Sequence, residues 1–192
     1  MSGMSWQLRP VGPSDAAALA HILVTANERT FRGIVPDQCL DFTEAQSAAN
    51  WHRSLTAGIP PDDFFVLIER AGDQPLGYVW ARLSDDGTHR AQLRHINIVP
   101  SHQRQGIGRL LVREAVVHLA ARGIHSLWVE TLRCNPNRAF YERLGAQYLS
   151  ERLYDWDGVV LPSCRYGWAD TRLLQVSRAA CRTSIASRGW ET

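Results

Sequence analysis

The stretch His95-Ile-Asn-Ile-Val-Pro-Ser-His-Gln-Arg-Gln-Gly-Ile-Gly-Arg-Leu-Leu-Val112 decides how this chain is read. Its strand-like part is closed by Pro100, and the apolar period then changes from two to that of a helix. Ile107, Leu110, Leu111, Ala115 and Leu119 fall at i, i+3, i+4, i+8 and i+12, which is one helix face. A strand therefore feeds a loop, and the loop opens a helix. Inside the loop, Gln103-Arg104-Gln105-Gly106-Ile107-Gly108 has the form Q/R-x-x-G-x-G/A. A helix start presents unpaired N–H groups and roughly half a positive charge, which suits an anion. Gly106 and Gly108 lack a Cβ, so a phosphate can come close to the backbone. Arg104 and Arg109 add charge at the rim. The plainer alternative is that both glycines serve a turn and close helix packing. No GxxxxGK[ST] is present, and no GxGxxG sits in an opening βαβ unit.

Upstream of this stretch, residues 64–70, 76–83 and 91–99 read as strands separated by turn signals at 71–75 and at Asp85-Asp86-Gly87, an antiparallel meander. Before them, residues 6–9 alternate as a short strand. Ser14-Asp15 opens a helix with Leu19, Ile22, Leu23 and Ala26 on one face. Thr43 and Gln46 have capping-box spacing for a second helix over 43–57. Residues 31–42, with Gly33 and Pro36, read as an irregular loop. Downstream, Arg122-Gly123 stops the central helix, residues 126–132 form a strand, and Asn135-Pro136-Asn137 opens a short helix that runs through Leu144. Residues 147–156 and 159–168 make a hairpin around Asp157-Gly158. Residues 171–192 read as an extra helix or a loose tail after a single domain over 1–170.

Composition narrows the partners. The 192 residues hold 21 Lys+Arg and 19 Asp+Glu, a net charge of +2, which argues against a nucleic-acid partner held by bulk electrostatics. No apolar run nears the roughly 18 residues a membrane span needs. Cys39, Cys134, Cys164 and Cys181 form no CxxC pair, so reduced thiols and a cytoplasmic location are the expectation. His21, His52, His89, His95, His102, His118 and His125 are scattered without HxxxH spacing, so no metal is expected. Tyr154, Trp156, Tyr166 and Trp168 alternate along the final hairpin, as core, as a homodimer contact or as a wall of a binding pocket.

A second motif, Asn135-Pro-Asn-Arg-Ala-Phe-Tyr-Glu-Arg-Leu-Gly145, lies one strand beyond the first. With the two in this order, residues 6–168 resemble the Gcn5-related N-acetyltransferase (GNAT) superfamily. The first motif is similar to its acetyl-CoA pyrophosphate loop, the second to its N-x-x-A-x-x-F-Y-E-x-L-G-F segment. The chain departs from that pattern in three places: the step from Asn135 to Tyr141 is one residue short, Gly145 is followed by Ala146, and Gln92 stands where a strand Glu is common.

The resemblance implies an α/β (α+β) fold with a mixed, mostly antiparallel central sheet and helices on both faces. It implies an acyltransferase that moves acetyl from acetyl-CoA to a primary amine of a small molecule, a peptide N-terminus or a lysine. A non-catalytic acyl-CoA-binding module of the same fold is the alternative, because fold does not fix function. By resemblance, Gln103, Arg104, Gln105, Gly106, Ile107, Gly108 and Arg109 hold the pyrophosphate. Backbone N–H groups near Ile98 and Val99 polarise the thioester oxygen, and the fourth and fifth strands splay to admit the pantetheine arm. Asn135 or Asn137 contacts the cofactor, and Tyr141 protonates the leaving thiolate, a thiol of pKa about 8.5 served by a phenol of about 10. The amine, with a pKa near 10.4, must lose a proton; His95, Glu130 or a water relay can take it.

Overall fold

The computed structural model describes residues 6–70 and 74–175. Seven strands form one sheet: β1 (Trp6–Pro10), β2 (Asp63–Arg70), β3 (Pro75–Leu83), β4 (Ala91–Ile98), β5 (Leu127–Leu132), β6 (Gln147–Trp156) and β7 (Val159–Trp168). Their spatial order is β1-β2-β3-β4-β5-β7-β6. Every pairing is antiparallel except β4–β5, which is parallel. That pair is joined by a helical crossover, as parallel neighbours require. The expected meander is β2-β3-β4, and the mixed, mostly antiparallel sheet is as the resemblance implied.

Helices cover both faces. On one lie α1 (Ala16–Phe31) and α2 (Glu44–Thr56). α1 presents Leu19, Ile22 and Ala26 to the sheet. α2 starts at a capping box: the Thr43 hydroxyl accepts from Gln46 N–H at 3.1 Å, and Gln46 Oε1 accepts from Thr43 N–H at 2.8 Å. Trp51 of α2 packs against Phe65, Tyr78 and Trp80, with centroids 5.4, 6.0 and 5.9 Å away. On the other face, α3 (Ile107–Ala121) buries Ile107, Leu111, Val112, Ala115, Val116 and Leu119. Phe64, one step from Phe65 along β2, stacks there on His118 at 4.3 Å. Period-two alternation thus sends neighbouring aromatics to opposite helical layers. Each fully buried Leu or Ile contributes about 1.5–3 kcal/mol, so α3 is held chiefly by its apolar stripe.

Several boundaries differ from the sequence reading. Ser14-Asp15 lies in a 3-10 turn (Pro13–Asp15), and α1 begins at Ala16. The Asp15 carboxylate is occupied there by Gly12 N–H at 2.8 Å and by Arg9 at 2.8 and 2.7 Å. The segment 31–42 contains a 3-10 turn (Asp37–Leu40) and buries Val35, Cys39 and Leu40 in a second apolar cluster. The helix expected from Asn135 is only α4 (Ala139–Arg143), because residues 135–138 are bound into turns. α5 (Arg172–Gln175) accounts for the start of the C-terminal extension; residues 176–192, Cys181 among them, lie outside the described residues. Among the described residues, no helix is long and apolar enough to cross a membrane.

Candidate active site

The one parallel pair of the sheet is also its weakest seam. β4 and β5 are partnered only at Gln92↔Trp128 and Leu93↔Val129. Beyond these, Glu130, Thr131 and Leu132 pair with β7 alone, while residues 95–98 pair with β3 alone. The strands therefore part toward their C-terminal ends. The direction of the free amides follows from one bond. Val99 N–H donates to Leu76 O at 2.9 Å, so the antiparallel alternation turns the amides of Ile98 and Ile96 away from β3, into the gap. Of the two expected oxyanion donors, Ile98 retains a free direction and Val99 does not. Its N–H is used by the sheet. Ile96, which the sequence reading missed, presents the second amide.

The loop after β4 is held from within. A 3-10 turn spans Pro100–His102. Gln103 Nε2 donates to Ile98 O at 3.1 Å, and Gln105 Nε2 donates to Ser101 O at 3.3 Å. Both side amides thus brace the loop. Arg104 has φ 63° and Gly106 φ 86°, the left-handed region, and this turns the chain into the start of α3. No atom lies within 4 Å of a Cβ built on Gly106, so glycine is needed there for its dihedral. Gly108 differs: its Cβ would stand 3.2 Å from the Phe140 ring and 3.4 Å from Ile98 Cδ1. It is a packing glycine, which joins α3 to α4. Arg104, Gln105, Gly106 and Arg109 are exposed at the mouth of the loop, and the Ile107 side chain is buried in the core.

On the other side of the gap, the segment before α4 hangs on Asn135. Its Nδ2 donates to Thr131 Oγ1 at 2.7 Å, and its Oδ1 accepts from Asn137 N–H at 2.8 Å. Asn135 lines a cleft, whereas Asn137 is exposed on the turn. Tyr141 follows from α4. Its ring packs on Phe140, Tyr166 and Trp168 at 5.3, 6.2 and 6.5 Å, and it too lines the cleft. Burial pushes its phenol up to about 12, so it carries its proton throughout the physiological range.

The cleft has a volume of about 650 Å³ and brings together Gln92, His95, Glu130, Asn135 and Tyr141. Glu130 Oε1 accepts the Ser163 hydroxyl at 2.6 Å and lies 3.6 Å from Arg152 Nε. His95 sits in an aromatic box, stacked on Trp80 at 5.4 Å with Trp51 edge-on at 6.3 Å. Burial there, aided by Arg94, lowers the imidazole to about 4 and keeps it neutral at pH 7. Trp80 is fixed by the buried Asp63, which accepts its indole N–H at 2.7 Å and Arg82 Nε at 2.8 Å. Asn97 Nδ2 donates to the Tyr78 hydroxyl at 2.9 Å. Trp51, Trp80 and Asn97 were not singled out in the sequence; the same-face register of residues 65, 78 and 80 was the signal available. The aromatic stripe of the last hairpin divides: Tyr166 and Trp168 are core, while Tyr154 and Trp156 line the cleft.

A parted parallel pair, a helix opened by a left-handed glycine beside it, and a buried phenol across the gap define an acetyltransferase architecture. The profile described as "Acetyltransferase (GNAT) family" matches residues 23–146, and the chain belongs to that family. Uncharacterized N-acetyltransferase YuaI of Bacillus subtilis (strain 168) is 28% identical over 92 residues, 48% of this chain and 53% of that protein. The [ribosomal protein bS18]-alanine N-acetyltransferase of Haemophilus influenzae is 36% identical over 55 residues, 29% of this chain and 38% of that protein. The chain thus spans about half, or less, of the length of these curated relatives. The crystal structure of PaiA N-acetyltransferase from Thermoplasma acidophilum in complex with coenzyme A aligns with a TM-score of 0.61 at 18% identity, covering 86% of this chain and 100% of that one. That likeness is one of fold.

Proposed function

We propose that this protein transfers the acetyl group of acetyl-CoA to a primary amine by direct attack within a ternary complex. The observation that carries the reading is the gap itself: free amides of Ile96 and Ile98 on one side, the start of α3 at its mouth, and Tyr141 on the other side. These residues fit the cosubstrate. The amides from Arg104 to Arg109 receive the diphosphate, with the two arginines at the rim. Asn135 contacts the arm from the opposite wall; Asn137, exposed on its turn, is the weaker candidate for that contact. Acetyl-CoA supplies an activated acyl carbon and a thiol leaving group. The Ile98 and Ile96 amides donate to the acyl oxygen as it gains negative charge. Tyr141 donates to the departing sulfur; the burial that holds its own proton also raises the proton affinity of a thiolate beside it.

His95 is a poor proton acceptor at about 4. Glu130 is therefore placed to receive the ammonium and to order the water that carries its proton away. A second copy of the chain is a further partner: β6 is an edge strand, and Leu153 and Val160 of the hairpin are 71% and 58% exposed. Analytical ultracentrifugation distinguishes the dimer from a monomer. The enzyme assignment is tested by thiol release from acetyl-CoA in the presence of amines. Tyr141→Phe is expected to lower turnover by about 10- to 1000-fold while coenzyme A affinity by calorimetry is retained. Equal turnover in the variant removes the proton-donor role. Coenzyme bound with no transfer to any amine leaves the binding-module reading in its place.

A further inference from the structure

The shape of the cleft restricts the acceptor, on the premise of the acetyl transfer proposed above. Phe31, at the end of α1, meets Trp156, at the end of β6, edge-on with centroids 5.5 Å apart. Both rings line the cleft. Behind them Val35, Cys39, Leu40 and Leu132 form a buried apolar cluster, with Val159 and Leu161 packed on it. The connection between α1 and α2 is thereby fastened to the β6–β7 hairpin, and that contact forms part of the cleft wall.

The remaining walls are also particular. Trp51 and Trp80, 5.9 Å apart, also line the cleft, and the second is oriented by Asp63 at 2.7 Å. Asn27, Asn50 and Ser54 add polar groups from the helices. Glu130 is 16% exposed; Ser163 occupies its Oε1 at 2.6 Å, and Oε2 has no hydrogen-bond partner among the described residues. A volume of about 650 Å³ falls in the range of small-molecule sites, roughly 300–1,000 Å³, and the acyl end of the cosubstrate takes part of it.

We propose that the acceptor is a small primary amine with an aromatic or branched apolar body, not a polypeptide. The body lies against Trp51 and Trp80 and stops on Phe31 and Trp156, and Glu130 receives the nitrogen. In the transfer, nitrogen attacks the acyl carbon, the C–N bond forms and the C–S bond breaks. The ammonium first gives one proton to water at Glu130; Tyr141 then gives its proton to the departing sulfur, and the second nitrogen proton restores the phenol, so the products are the amide, the thiol and one proton in solvent. The test uses the full chain with acetyl-CoA and five acceptors: 2-phenylethylamine, isoamylamine, ethanolamine, a peptide with a free N-terminal alanine, and an N-terminally blocked lysine peptide. The two apolar amines are expected to exceed the other three in kcat/KM by about tenfold or more. A peptide that matches them, or ethanolamine at parity, overturns the proposal. So does inertness of both apolar amines in protein that binds coenzyme A. Failure to bind coenzyme A, measured separately by calorimetry, is the result that brings down the transferase reading itself. Trp156→Ala is expected to lower the phenylethylamine-to-ethanolamine ratio at least about threefold, through KM, and Trp156→Phe to restore it. Phe31→Leu, which keeps apolar volume and removes the ring, moves the ratio the same way; a ratio unchanged in both variants overturns the proposal.

Discussion

Two regions around the β4–β5 gap are made of different material. One is largely backbone: amides of Ile96, Ile98 and the start of α3, in a loop whose glutamine side chains brace it internally, which the proposed function assigns to the cosubstrate. The other is the side-chain lining of the cleft: Trp51, Trp80, His95, Glu130 and Tyr141, drawn from five separate elements. The difference teaches where function can drift. A cradle of amides depends on dihedrals and tolerates most changes of residue, whereas a wall of side chains changes its preference with each substitution.

The comparison can be broken at several points. The largest effect belongs to the side-chain lining, where the Tyr141→Phe loss described above has no counterpart among single side chains of the loop. Next comes Asp63→Ala. It leaves the Trp80 indole N–H without its partner and uncouples Arg82, whose side chain is 36% exposed. A stability loss of about 2–3 kcal/mol in urea unfolding is expected, with weaker acceptor binding and an unchanged coenzyme Kd. A change in coenzyme Kd as large as the change in acceptor KM would show that the two sides are not separable.

His95 gives a pH signature. Its folded pKa of about 4 lies below the unfolded value of about 6.5, so the unfolded chain binds the extra proton between those values. Its contribution is full above pH 6.5 and is lost as pH falls toward 4, on the order of 3 kcal/mol in chemical denaturation. His95→Phe should flatten that slope. Turnover should carry no inflection near pH 6.5; one that vanishes in the variant would return His95 to the proton path. The smallest effects are on the loop. Gly106→Val forces a β-branched residue to φ 86° and should weaken coenzyme binding by about tenfold. Gln105→Ala should change Kd by no more than about threefold, because its amide points at Ser101 O. A larger loss from Gln105→Ala than from Gly106→Val would show that the loop works through side chains.

Local patterns carried much of the fold. The capping box at Thr43, the face of α3 and both strands of the last hairpin were legible because each depends on residues close in sequence. Val99 was not, because the direction of its amide is set by Leu76 across the sheet. Gly108 could not be told from Gly106, since a packing glycine is defined by its neighbour Phe140, which belongs to another helix. Asn135 looked like a helix cap, but its side chain is engaged by Thr131 and by Asn137 N–H, so α4 starts four residues later. In the cleft, Tyr141, His95 and Glu130 were found through motif and chemistry. Trp51 and Trp80 were missed because they meet only when α2 lies on β3.

The contact between Gly108 and Phe140 has one more consequence. With 3.2 Å between the ring and the place a methyl would occupy, the two helices have no slack between them. Phe140 is followed in the chain by Tyr141, so the start of α3 and that phenol share a single stiff linkage. On the proposed function, that linkage would hold the diphosphate's anchor and the thiol's proton donor at one fixed separation, like the jaws of a locked caliper.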